Sequence, residues 1–337
     1  MTLAALVIII AGMRAASSLL VPFLLALFLA VIIAPPLSWL KHKGVPGVLA
    51  TLVVMAVFVL VAILLVLLVG SSLDEFTRNF PFYQSRIQEL TALLLTWLSD
   101  KGVSISSEFV SHYLDPGKAM KLIATLLSGM GGILTNGFLI LITVIFLLLE
   151  ASTLPGKWRA AFARPETSME QGRAIADNIN HYMGIKTLTS LATGIIVALW
   201  LWVIGVDFPV LWGVLAFLFN FVPNIGSIIA AIPAVLLALI QLGLAPALLV
   251  VLGYVVVNVV IGTFLEPRYM GRGLGLSTLV VFLSLVFWGW VLGPVGMLLS
   301  VPLTLTAKIA LDSNEHTRWL AILLGPRVEA EEQPRAS

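Results

Sequence analysis

Between Thr187 and Leu265 the chain places one charged side chain, Asp207, in 79 positions, and between Gly273 and Ala307 it places none in 35. A water-soluble domain needs a polar exterior and does not leave stretches of this length without charge. The stretches are continuous Leu, Ile, Val, Ala and Phe rather than alternating apolar and polar residues. Only helices and closed barrels satisfy their own backbone in hydrocarbon, and unalternated runs select helices. About 20 apolar residues cross the roughly 30 Å hydrocarbon core, so this chain has room for about six to nine spans. The composition agrees, at 60% hydrophobic and 11% charged, against about 25% charged in soluble domains. The expected fold is all-α: a polytopic integral membrane protein.

The same composition closes off several functions. There is no cysteine, hence no disulfide framework, thiol nucleophile or cysteine metal site. A net charge of +2 is too small to point to nucleic acid. The four histidines, 42, 112, 181 and 316, all fall in polar segments, and no span carries paired acids, a His-Glu zinc pattern or a serine with a nearby base. No enzymatic activity, metal or cofactor is expected. Gly271-Arg272-Gly273-Leu274-Gly275 follows no strand and fits no nucleotide pattern. Gly184-Ile185-Lys186-Thr187 resembles the end of a phosphate-binding loop, but Ile179 stands where its first glycine belongs. The apolar run Leu3 to Gly12 lacks a basic start and precedes Arg14, so a retained membrane segment is expected rather than a cleaved leader.

Polar segments divide the chain. Residues 1–70 hold N-terminal transmembrane helices, with spans at Leu19–Leu40 and Val48–Val69. Trp39, Lys41, His42 and Lys43 mark a cytoplasmic boundary. Residues 71–128 read as an extramembrane amphipathic helical arm, because Ile87, Leu90, Leu94 and Trp97 recur at helical spacing and Asp115-Pro116 starts a second helix. Residues 129–186 comprise a span, Ile133–Leu149, and a polar cytoplasmic loop with Lys157, Arg159, Arg164, Arg173 and Lys186. Residues 187–310 form the expected transport core, and 311–337 a cytoplasmic tail.

Within the core, two apolar segments are interrupted alike. Val210–Leu242 is broken by Pro223-Asn224-Ile225-Gly226 with a later Pro233, and Leu274–Thr306 by Pro294-Val295-Gly296 with a later Pro302. Each arm of the first segment is too short to cross, so re-entrant hairpins are expected. The first starts outside and the second inside, the pattern of an inverted repeat. Proline frees a carbonyl and glycine permits unusual dihedrals, and irregular backbone at membrane depth is tolerated where it is buried or lines a wet cavity. The first tip therefore reads either as a kink satisfied by its own amides or as a lining of the substrate path through Asn220, Pro223, Asn224, Gly226 and Ser227. Gly293, Pro294 and Gly296 would line the path from the other side. Glu266, Pro267, Arg268 and Gly271 join the halves, with Glu266 expected to pair with Arg268 or with polar groups at the cavity mouth. Glu266 and Asp207, at segment ends, read as interface anchors. A non-transporting scaffold has no need of such breaks.

Three motifs in combination, Asn220-Phe-Val-Pro-Asn-Ile-Gly-Ser227 with Pro233, Leu265-Glu-Pro-Arg-Tyr-Met-Gly271, and Phe287-Trp-Gly-Trp-Val-Leu-Gly-Pro-Val-Gly296 with Pro302, resemble the autoinducer-2 exporter family. The resemblance runs over nearly the whole chain. It implies a bacterial inner-membrane protein exporting a small polar furanone-derived signal by alternating access of its hairpins. It also implies a homo-oligomer, a pentamer among the expected forms, with the lipid bilayer and a small polar organic solute as partners. Some relatives move cations, so a monovalent cation/proton antiporter is the alternative. Many members carry a polar pair just before the Glu-Pro; here those places hold Gly262 and Thr263.

Overall fold

The computed structural model of the protein describes residues 2–101, 137–151, 157, 165–223, 225–270, 276–312 and 315–325. Among the described residues the regular structure is helical, with no strand. Among these described residues five helices are long and apolar enough to cross a bilayer, and three further apolar helices are shorter. The chain opens with α1 (Thr2–Ala15), whose 14 residues reach only about 21 Å. Next come α2 (Ser17–His42), α3 (Gly47–Asp100) and α4 (Gly137–Ala151). They share a core in which Ala26, Ala30, Ile33, Ala50, Met55 and Val144 are buried.

Two helices overrun the divisions that charge suggested. The 54 residues of α3 form one helix of about 81 Å, so the boundary expected at residue 70 falls inside unbroken helix. Ile87 and Leu90 belong to that same helix rather than to a separate arm. Likewise α5 (Pro165–Ile204) is a single 40-residue helix, so much of the polar segment expected as a loop before Thr187 is the first half of a span-bearing helix. A polar helix and a polar loop have the same composition; only packing distinguishes them. The second arm helix after Pro116, the segment 152–156 and the tail beyond residue 325 lie outside the described residues.

After α5 come α6 (Pro209–Phe219), α7 (Gly226–Leu242) and α8 (Leu244–Val257). Small residues let these helices approach closely, as lipid-embedded helices require. A Cβ on Gly194 would stand 2.7 Å from the Gly213 carbonyl oxygen, and one on Gly213 would stand 2.6 Å from that of Gly194. Across the α5–α8 contact, Trp200 donates from Nε1 to the Leu249 carbonyl at 3.0 Å and lies over Gly253, where a Cβ would come within 2.1 Å of the indole. The outer faces stay apolar: Leu199, Trp202, Val203, Leu252 and Phe282 are all exposed, as lipid-facing residues should be.

Asp207, the lone charge of this region, ties α3 to the base of the α6–α7 pair. Its carboxylate accepts from the Tyr83 hydroxyl at 2.7 Å and from the Gln241 amide at 3.0 Å. Its backbone N–H donates to Gln241 Oε1 at 3.0 Å, and its carbonyl accepts from Trp212 Nε1 at 2.8 Å. Phe208 beside it takes a left-handed φ of 59° to start α6. Tyr83 itself is fully buried, which fixes the α3 extension against the α6–α7 pair.

Candidate functional site

The helix that begins as α8 widens into a π-helix at Asn258–Leu265 and returns to α geometry in α9 (Glu266–Met270). The change is visible in one bond: the Glu266 N–H reaches the Ile261 carbonyl, five residues back. Extra residues per turn in this form recur where a helix must aim side chains at a site. Here Asn258, Gly262, Thr263 and Glu266 all line one cavity of about 160 Å³. Tyr182 and Lys186 reach it from α5, Asn220, Val222 and Pro223 from the break between α6 and α7, and Ser227 from the first turn of α7. Val281 and Val301 close it from α10 (Thr278–Leu298) and α11 (Ser300–Asp312).

The cavity holds a buried ion pair. Lys186 Nζ lies 2.7 Å from Glu266 Oε1 and 2.9 Å from Oε2, with side-chain exposures of 6% and 16%. An isolated charge at such a site would be costly, and bidentate pairing offsets the loss of water. Lys186 continues into a polar stripe on α5, with Thr189, Ser190 and Thr193 at helical positions +3, +4 and +7, all buried. Ser190 Oγ accepts from Asn220 Nδ2 at 2.9 Å, fixing the α6–α7 break to α5. Thr189 and Thr193 donate back to the Lys186 and Thr189 carbonyls at 3.1 and 2.9 Å. Phe221 packs edge-on against Phe28 of α2 at 5.4 Å and against Phe217 of α6 at 5.6 Å, so the break is held by both α5 and α2.

Of the residues singled out in the sequence, Asn220, Pro223, Ser227 and Glu266 meet at this cavity. Gly226 is buried behind the lining, where a Cβ would stand 1.8 Å from the Phe219 carbonyl oxygen. Gly293, Pro294 and Gly296 lie outside the lining, which that segment reaches through Val281 and Val301 instead. The second interruption also falls earlier than its Pro-Val-Gly suggested: Gly293 is the non-helical residue, at φ 69° and ψ −153°, a conformation for glycine alone. Pro294 follows, and a second bend at Leu299 leads into α11. Gly296 repeats the close approach of Gly226, since its Cβ would stand 2.0 Å from the Trp288 carbonyl oxygen. Trp288 Nε1 donates to Thr304 Oγ1 at 3.0 Å across the same reversal.

Glu266 pairs with Lys186 rather than with Arg268, which is exposed together with Pro267. Residues two apart on a helix do not face each other, so the pairing within the motif was geometrically poor from the start. Asn224 and Gly271 lie outside the described residues. The sequence reading passed over Tyr182, Asn258 and above all Lys186, taken there as a cytoplasmic cation and as part of a rejected phosphate-loop match. Its signal was present in the stripe Lys186, Thr189, Ser190, Thr193, a polar face on a helix otherwise built for lipid.

Apolar helices broken around a polar cavity, with five helices among the described residues long and apolar enough to cross a bilayer, fit a multi-pass membrane transporter. Residues 3–315 match the model of the AI-2E family transporter, and the chain belongs to that family. It is 46% identical over 95% of its length to the AI-2 transport protein TqsA of Escherichia coli K12, covering 93% of that protein. It is 41% identical over 96% of its length to a protein of Haemophilus influenzae, covering 94% of it. It is 40% identical over 96% of its length to YhhT of E. coli, covering 93% of it. The last two are named only as candidate transport proteins. Family and relatives are transport proteins, not enzymes, and the chain is a multi-pass protein of the inner membrane.

Proposed function

We propose that the protein exports a small polar signal molecule, autoinducer-2, across the bacterial inner membrane. The observation that carries this is the cavity of about 160 Å³ at the α6–α7 break, polar-lined among apolar helices. Its size suits a small solute, below the roughly 300–1,000 Å³ of drug-sized ligand sites. The E. coli relative named as an AI-2 transport protein supports the choice of solute.

Transport proceeds by alternating access. The α6–α7 pair and the reversal around Gly293 act as two re-entrant hairpins related as an inverted repeat, and the matched contacts of Gly226 and Gly296 with a preceding carbonyl support that pairing. Asn220, Pro223 and Ser227 line the path from one side, Gly226 packs behind them, and the reversal at Gly293, Pro294 and Gly296 moves against them from the other. Glu266, Pro267 and Arg268 form the junction, and the protein works as a homo-oligomer. Deleting the gene should raise intracellular and lower extracellular autoinducer-2. A second reading, cation/proton antiport, draws on the Glu266 carboxylate in the cavity; it replaces the first if signal levels stay unchanged while Na⁺ or Li⁺ tolerance falls.

A further inference from the structure

The Lys186–Glu266 pair has a consequence for what the cavity accepts. Among its described lining residues these two carry the charge, and they cancel. The cancellation holds whether the shared proton sits on nitrogen or on oxygen. Adding or removing a proton, or admitting an ion, leaves a net charge among side chains that are 6% and 16% exposed, which is costly in a water-poor site. The pair is not closed to a ligand, however. An ammonium has three N–H donors, of which two meet the Glu266 oxygens. Each carboxylate oxygen keeps a further lone pair. Ser227 and Asn258 add a hydroxyl and an amide to the same lining.

We propose that the Lys186–Glu266 pair is the specificity element of the transport site: a charge-balanced, donor-and-acceptor surface that takes an uncharged, hydroxyl-rich solute and excludes ions. The inference rests on the transport reading above and adds the charge class of the substrate and the residues that select it. Hydroxyls suit such a pair because each can accept from the ammonium and donate to the carboxylate without changing the net charge. A monovalent ion satisfies one partner and strips the other.

The test uses the full-length protein in proteoliposomes, with fluxes of autoinducer-2, a panel of uncharged polyols and ²²Na⁺. Wild type should carry uncharged solute and hold Na⁺ flux at background. Lys186→Met/Glu266→Gln keeps the cavity neutral and near its original shape, a replacement that buried ion pairs generally tolerate. It should remain folded by size exclusion and raise the KM for solute by about tenfold or more, the loss of charged hydrogen bonds. Lys186→Met alone leaves a bare carboxylate, so Na⁺ should inhibit solute flux. Glu266→Gln alone leaves a bare ammonium, so Na⁺ should not inhibit it. Should either single variant fail to fold, the double variant decides.

A wild-type KM in the folded double variant would overturn the proposal, because a merely structural pair leaves affinity unmoved. Sodium flux through wild type would overturn it as well. If wild type ignores autoinducer-2 but carries another uncharged polyol with the same variant pattern, the substrate reading fails while the charge-balance inference stands.

Discussion

At residue scale the glycines separate into positions that need hydrogen and positions that do not. Gly226 abuts the Phe219 carbonyl so closely that even a methyl group would stand 1.8 Å from the oxygen. Backbone cannot yield as a side chain does, so Gly226→Ala must displace the start of α7. Overpacking of this kind costs about 1–3 kcal/mol. The expected outcome is a lower melting temperature for the detergent-solubilised protein together with reduced export. Gly184 is the contrast: it lies in α5 with open space around it. Gly184→Ala should leave stability unchanged or raise it by up to about 1 kcal/mol, the helix-propensity difference. Thermal unfolding of the two variants side by side checks both statements. The buried ion pair follows the same logic of position over type. Lys186 and Arg268 are both cations near Glu266 in the chain's architecture, but only Lys186 comes from a helix that faces it.

At the scale of elements, the π-helix is the device that sets Glu266 against Lys186. Inserting one alanine after Val260, a lipid-exposed residue within it, adds a residue to a segment that is already widened. Each further residue of a helix turns the chain by up to about 100°, so the insertion should swing Glu266 off Lys186. Export should fall to background while the protein stays in the membrane at normal amount, read by immunoblot and by vesicle flux. The helices themselves were largely legible in the sequence, because long apolar runs admit one solution in lipid. Ser17–His42 and the span beginning at Gly47 follow directly from their composition. The lengths of α3 and α5 were not legible, since helix continuing into water carries the same residues as an amphipathic arm or a polar loop. The first break was read at its right place from Pro223 and Gly226. The second was set too late, because Gly293 precedes the Pro-Val-Gly that drew attention and its unusual dihedral leaves no mark in composition. Asn220, Pro223, Ser227 and Glu266 stood out in the sequence because they interrupt apolar runs, and all four line the cavity. Lys186 was missed because it stands at the edge of one, where a topological cation and a site residue look alike.

At the scale of the whole molecule, orientation governs which face the cavity opens to first. Cations concentrate between residues 150 and 186, which argues that this side is cytoplasmic. The α3 extension carrying Tyr83 then lies on the opposite side. The chain has no cysteine, so single introduced thiols report cleanly. Ser85→Cys, on an exposed position of that extension, should react with an impermeant maleimide in intact spheroplasts. Ser168→Cys should react only after lysis. The reverse pattern would invert the topology and with it the side from which each of the two broken segments starts.

The absence of cysteine also allows the central claim, that solute passes through the cavity at the α6–α7 break, to be tested in one measurement. Ser227 lines that cavity. Autoinducer-2 flux should be measured in proteoliposomes holding Ser227→Cys, before and after reaction with a bulky thiol reagent, with the unsubstituted protein treated in parallel. The account predicts that flux through Ser227→Cys drops to background on modification while the unsubstituted protein is unaffected. Flux through the fully modified variant at its unmodified rate would contradict it, and the cavity would then lie off the path.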